Sequence, residues 1–218
     1  MGAKGPLAPN WLVRRIAAQH IAAAAARWGR GHTLDVGCGS RPYAALFAHY
    51  TGLEYDRTRY LQTPPEICAS APSLPFVASS FDTVFSSQVL EHVPEPWVMI
   101  EEMARVLKPG GFLLVSAPHI WGLHEVPQDY FRFTCYGLQH LAERAGLQVV
   151  EVRPMAGYWV TAGTRFCYYL RPFERRLFGP LLWPVYAAVQ WLSWGLDRLH
   201  RVDSDAWNYL LVAQRAEE

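Results

Sequence analysis

Short apolar runs of strand length alternate with helix-length segments from Thr33 onward, and the first run ends in a glycine-punctuated turn, LDVGCGS (Leu34–Ser40). That alternation constrains the fold more than any other feature, because parallel strands need long crossovers and the crossover helices cover both sheet faces. The sequence therefore predicts an α/β protein built on a mostly parallel sheet. A first helix precedes it, with Asn10 at its N-terminus and Gly29 as the left-handed residue after Trp28. HTLDVG reads as a strand, RPYAALFAHY as a helix with Pro42 in its first turn, and TGLEYD as the second strand. A proline-rich connection leads to the strand FDTVFSS. A helix over Glu95–Leu107, a break at KPGG and the strand FLLVSAP follow, and then the helix CYGLQHLAERAG and the strand LQVVEVRP.

Length and charge narrow the function. A chain of 218 residues suits one sizeable α/β core. A formal net charge of +1 argues against a basic face for nucleic acid, so none is expected as a partner. Cys38, Cys68, Cys135 and Cys167 are scattered without paired spacing, which suggests neither disulfides nor a metal site and fits free thiols in a cytoplasmic protein. The alanine-rich stretch Ile16–Ala26 contains Gln19 and His20, and so reads as a helix rather than a secretion signal.

In a parallel sheet, ligands bind beyond the carboxyl ends of the strands, where LDVGCGS lies. Gly37 and Gly39 let the backbone bend and approach a ligand, and Asp35 can orient the loop or accept from a cationic group. Pro42 stands where a dinucleotide fingerprint has its third glycine, which disfavours an NAD-dependent oxidoreductase. Roughly 20 residues on, Glu54 or Asp56 ends the second strand, where a carboxylate can take two hydrogen bonds from a ribose diol. A plain tight turn followed by a solvated acid is the other reading of the same residues.

LDVGCGS, GLEYD, LPFVASSFDTVFSSQVLEHVPEP and EEMARVLKPGGFLLVSAP, in that order, resemble the motif series of class I S-adenosylmethionine-dependent methyltransferases, with a flavour similar to the small-molecule enzymes of quinone biosynthesis. The resemblance covers about Thr33 to Pro154. It implies a Rossmann-like seven-stranded sheet with helices on both faces and an antiparallel last strand, WNYLLVAQR. It further implies a single methyltransferase domain with an N-terminal helix over 1–30 and a helical, aromatic-rich insertion over 156–206. S-adenosylmethionine is the implied cofactor. Asp35, Gly37, Cys38 and Gly39 would surround its methionine part, and Glu54, with Tyr55 beside it, would hold the ribose. Leu74, Pro75 and Phe76 would stand near the adenine, with Ser87, Gln88, Val89 and His92 continuing the wall. The acid that often precedes the LPF element is missing from CASAPSLPF, which leaves Ser70 or a backbone carbonyl for the adenine amino group.

Methyl transfer from a sulfonium is an in-line displacement, and a base is needed only where the acceptor must lose a proton. Candidates cluster in APHIWGLHEVPQDYFRFT: His119 and His124 as catalytic bases, with Glu125, Asp129, Tyr130 and Arg132 as acceptor contacts. This stretch resembles the H-E-x-P-x-D-Y-F-R-x-T pattern of a methyltransferase subgroup of surface-polysaccharide and secondary-metabolite pathways. Its other reading is a structural turn with Asp129 paired to Arg132. The expected acceptor is a small molecule or a lipid- or sugar-linked group.

Leu177–Leu196 contains no charged residue, but Pro180, Pro184, Gln190 and Ser193 interrupt it, and a sheet strand follows, so a full membrane span is not expected. Val160–Arg201 holds six arginines against two acids, with Trp183, Tyr186, Trp191 and Trp194 among the apolar residues. That pattern suits a helix lying in a membrane interface through 177–196, peripheral at the inner surface; a lid or a homodimer contact is the alternative. A methyltransferase-like protein that binds without turnover is the second functional reading.

Overall fold

The structure, a computed structural model, describes residues 5–56, 64–174 and 179–217. Its strands are β1 (His32–Val36), β2 (His49–Glu54), β3 (Ile67–Cys68), β4 (Phe81–Ser87), β5 (Leu107–Pro118), β6 (Leu147–Met155) and β7 (Asn208–Arg215). They form one seven-stranded sheet in the order β3-β2-β1-β4-β5-β7-β6. Pairing is parallel from β3 through β5, and the last strands are antiparallel, the Rossmann-like arrangement expected from the sequence. The helices are α1 (Trp11–Trp28), α2 (Pro96–Val106), α3 (Cys135–Arg144), α4 (Tyr158–Phe173) and α5 (Gly179–Leu199).

The chain divides into two compact units, one of residues 1–20, 119–121 and 154–208, the other of 21–118, 122–153 and 209–218. The second holds most of the sheet. Its central strands carry Leu34, Val36, Val84, Phe85, Leu113, Leu114 and Val115, all fully buried; in β5 they form the unbroken apolar run FLLV, while β1 and β4 interleave them with buried Thr33, Asp35, Thr83 and Ser86. Met99, Ile100, Met103 and Val106 form the buried stripe of α2, which starts on Pro96, where a missing N–H does no harm. Thr134 caps α3 by accepting from the Gly137 N–H.

Three details differ from the sequence reading. No helix forms over 41–50: after Arg41, held at φ 61°, there is only a single 3-10 turn at Ala44–Leu46 before β2 begins. β2 runs parallel to β1 with His49 beside His32, so residues 37–48 carry the chain back along the length of β1. β3 lies within the proline-rich connection, two residues long and too brief to give a periodic signal. Lastly, the positive φ after α1 belongs to Gly31, not Gly29; Gly29 is needed because a Cβ there would meet the Ala25 carbonyl oxygen at 2.5 Å.

In the other unit α4 and α5 pack closely where Gly163 faces Ser193; a Cβ at Gly163 would lie 2.0 Å from the serine oxygen. Buried Gln190 ties this unit together. Its Oε1 accepts from Leu12 N–H in the first turn of α1, while its Nε2 donates to the carbonyls of Pro6, Ala8 and Tyr186. Asn10, expected to cap α1, instead donates its side-chain amide to the Tyr168 hydroxyl. Tyr186, Gln190, Ser193 and Asp197 form the buried face of α5, and Leu181, Val185, Leu192 and Leu199 an exposed stripe on the opposite side. Leu177 and Phe178, where the expected interfacial segment begins, lie outside the described residues. No described helix is long and apolar enough to cross a membrane.

Replacing Gln190 with Leu leaves the Leu12 N–H and three carbonyls without this partner. We expect a loss of about 3 kcal/mol in denaturant unfolding, with faster amide exchange at the start of α1.

Candidate active site

The turn after β1 is bonded to the end of β2. Gly37 and Cys38 both donate N–H groups to the Leu53 carbonyl, at 2.8 and 3.0 Å, and Gly39 N–H donates to Glu54 Oε2 at 3.0 Å. The other Glu54 oxygen accepts from Tyr55 N–H. Gly37 has φ +77°, and a Cβ on it would lie 2.2 Å from Val89, so the residue must be glycine on two counts. Asp35 is buried beneath this turn with Tyr50 donating to its Oδ2 at 2.7 Å. Burial raises its carboxyl from 3.8 to about 7, against the lowering effect of the tyrosine bond. Burial likewise pushes the Cys38 thiol up to about 12, which makes it a packing group rather than a nucleophile.

A cavity of about 730 Å³ opens at these strand ends. Gly37, Leu53, Glu54, Tyr55 and Asp56 line one side; Gln88, Val89, His92, Val93 and Pro94 another; Glu125, Val126, Gln128 and Tyr130 a third. Its size suits a cofactor-sized ligand. Gln88 and Glu125, both non-glycine, take left-handed conformations at φ 58° and 52°, the kind of backbone strain that gathers at functional sites.

The expected adenine element is not on the cavity wall. Leu74 is buried, its N–H donates to Glu102, and Arg105 donates to the carbonyls of Leu74 and Phe76, so LPF forms a pinned turn. Ala69, Ser70, Ala71 and Pro72 line the cavity in its place, held there because β3 pairs with β2 and Ala69 N–H donates to the Glu54 carbonyl. Asp35, Cys38, Gly39 and Ser87 lie off the lining; Ser87 shares a 2.8 Å hydrogen bond with Ser116.

On the acceptor side, Glu125 and Tyr130 face the cavity and Asp129 and Arg132 do not. Arg132 grips both Asp129 oxygens, at 2.7 and 2.8 Å, and also donates to the Gly122 and Phe131 carbonyls. That fork holds the Asp129 carboxyl well below the usual carboxylate range. Asp129 also accepts from His124 N–H, so the loop is folded onto itself. His124 packs against His92 with ring centroids 4.8 Å apart, and the nearby Glu91 carboxylate raises its pKa despite burial. His119 belongs to the other unit, where its Nε2 lies 3.2 Å from the Ser204 carbonyl, and it is not among the lining residues. Sequence reasoning passed over Glu91. It is fully buried, and its backbone carbonyl accepts from Tyr130 and Phe131 N–H groups; an acid beside a histidine between the apolar residues of VLEHV was the available signal.

The sheet order and the position of the cavity define a Rossmann-like methyltransferase fold. Residues 34–115 match the methyltransferase domain family, and an uncharacterized methyltransferase of Mycobacterium leprae is 36% identical across 56% of this chain and 54% of its own length. Another, of Mycobacteroides abscessus, is 39% identical across 47% of each protein. The chain thus spans about half the length of the curated relatives it matches. Among solved structures, phosphoethanolamine N-methyltransferase 2 of Haemonchus contortus, in complex with S-adenosyl-L-methionine, superimposes with a TM-score of 0.58 at 19% identity, over 95% of this chain and 58% of that one. The [4+2]-cyclase SpnF gives 0.59 at 22% identity, over 93% and 82%. The chain is thus similar to class I S-adenosylmethionine-dependent methyltransferases over residues 34–115 and in its Rossmann-like fold.

Asp35 gives the site a pH signature. Because its carboxyl is raised in the fold, the stability it contributes is complete below about pH 4 and is lost as pH rises to about 7. Asp35→Asn should therefore be more stable than the parent at pH 8, with the advantage shrinking toward pH 4. Urea unfolding at both values checks this, and an equal difference at both would contradict it.

Proposed function

We propose that this chain transfers the methyl group of S-adenosylmethionine to a small-molecule or lipid- or sugar-linked acceptor. The observation that carries the reading is the glycine turn hydrogen-bonded to Glu54 at the mouth of a cavity whose far wall bears His92. In this reading Asp35, Gly37, Cys38 and Gly39 shape the methionine end, and Glu54 and Tyr55 hold the ribose. Ser70 and its neighbours take over the adenine from Leu74, Pro75 and Phe76, while Ser87, Gln88, Val89 and His92 form the floor. The protein's work is alignment and exclusion of water, since the sulfonium supplies an activated methyl. Acceptor activation falls to the histidine wall, with His124 rather than His119 as the acting group, Glu125 and Tyr130 as contacts, and the Asp129–Arg132 fork as the brace that shapes the loop.

A protein that binds without methyl transfer is the second reading; SpnF, a [4+2]-cyclase, has a similar fold, so the fold alone does not fix methyl transfer. Calorimetry with S-adenosylhomocysteine should show one site, lost in Gly37→Val, and no binding of NAD. Transfer of labelled methyl to a small-molecule extract should fall about 100-fold or more in His124→Ala. Binding without any transfer would favour the second reading, and absence of cofactor binding would overturn both.

The exposed stripe Leu181, Val185, Leu192 and Leu199 supports peripheral contact with an anionic lipid surface, with Arg198 and Arg201 near its end. Wild-type protein should float with anionic vesicles and Leu192→Glu should not. Unchanged flotation, or a dimer by light scattering without flotation, would remove the lipid contact.

A further inference from the structure

We propose that Glu91, His92 and His124 form a site for one divalent cation, with zinc the ion their donor set fits. Three ligand atoms, one from each side chain, lie within 4.8 Å of one another. The Nε2 atoms of His92 and His124 stand 3.8 and 3.7 Å from the same oxygen, Glu91 Oε1. These separations exceed hydrogen bonds, and they approach the ~3.4 Å edge that donors about 2.1 Å from a tetrahedral zinc would make.

A second, independent observation is the state of Glu91. Its side chain is fully buried, and neither carboxylate oxygen has a hydrogen-bond partner among the described residues. A carboxylate withdrawn from water needs a cation or a set of donors, and the described residues bring it two imidazoles at 3.7 and 3.8 Å, with the Arg132 guanidinium acting on it from further off.

The tautomers point the same way. His92 donates Nδ1–H to the Gln128 carbonyl at 2.5 Å, which leaves a lone pair on Nε2 in the neutral ring. His124 Nδ1 meets the Gly122 carbonyl at 3.3 Å and Asp129 Oδ2 at 3.5 Å, with Arg132 Nη2, already donating to both of those residues, at 3.3 Å. Two oxygens favour the proton on Nδ1 and again leave Nε2 as a lone pair. Each ring is thus held at one nitrogen and open at the other, as metal-bound histidines are oriented. In the neutral rings three lone-pair donors converge with no hydrogen between them, a repulsion that a bound cation relieves, as does the proton that the Glu91 carboxylate favours on His124. Two imidazoles and one carboxylate suit zinc or its first-row neighbours better than magnesium or calcium, and leave positions open. The scattered cysteines had suggested no metal site; these ligands come instead from VLEHV and the acceptor loop.

His92 lines the cavity, so the cation would stand at its acceptor wall, where it can bind an acceptor oxygen and ease loss of its proton. That role rests on the methyl-transfer reading, whereas the binding itself does not. The test uses the full chain, stripped with chelator and titrated with Zn²⁺ by calorimetry, with S-adenosylhomocysteine titrated in parallel and Co²⁺ absorption as a spectroscopic readout. One equivalent of zinc should bind, with affinity reduced about 100-fold or more in His124→Ala and in Glu91→Gln. The ligand-field bands of bound Co²⁺ should be lost in both. Because Glu91 is buried and its replacement perturbs the fold, His124→Ala, checked by its retained binding of S-adenosylhomocysteine, is the deciding comparison. No saturable zinc uptake, or uptake undiminished in His124→Ala, would overturn the site. Zinc binding without S-adenosylhomocysteine binding would leave the cation site standing and sink the methyltransferase reading.

Discussion

Gly37 and Cys38 donate to one carbonyl of β2, and Gly39 donates to the carboxylate that ends it. The rest of the site depends on this arrangement. A turn leaving a parallel strand has free N–H groups that must be satisfied, and here the neighbouring strand satisfies them. The turn and Glu54 therefore behave as one rigid unit, and Glu54 is oriented before any ligand arrives. Val89 packs so close to Gly37 that β4 is locked to the same turn. Preorganisation of this kind lowers the ordering cost of binding.

The two ends of the cavity are built by different physics. The cofactor end relies on backbone groups and on residues at strand termini, which the sheet register fixes. The acceptor end relies on one loop, 122–133, held by side chains: the Asp129–Arg132 fork, the Asp129 bond to His124 N–H and the bonds from Tyr130 and Phe131 to the Glu91 carbonyl. A loop stabilised from within can change its outward residues without disturbing the sheet, which suits the part of an enzyme that distinguishes acceptors.

This difference also decides what could be read from the sequence. β5 was legible because its buried residues make a continuous apolar run, and α2 because its buried residues recur at helical spacing. The glycine turn was legible because only glycine meets its geometry. β3 was not, since two residues carry no period, and the 3-10 turn that stands in place of a helix after Pro42 had no local signal. The place of LPF off the cavity lining had no local signal, because its backbone groups are committed to Glu102 and Arg105, 28 to 31 residues away in sequence. The capping of α1 by Gln190, 178 residues distant, is the same kind of miss.

Glu91 shows how far such reasoning can reach. In sequence it is one acid at a short helical turn, and exposure is the ordinary expectation for an acid. The fold buries it entirely, and its backbone carbonyl anchors the acceptor loop. A fold that needed only the anchor could have used a leucine, whose burial would be favourable rather than costly. Keeping a carboxylate there, opposite two imidazoles whose other nitrogens are already held, is a destabilising choice for structure alone and a sensible one for a site that holds a cation.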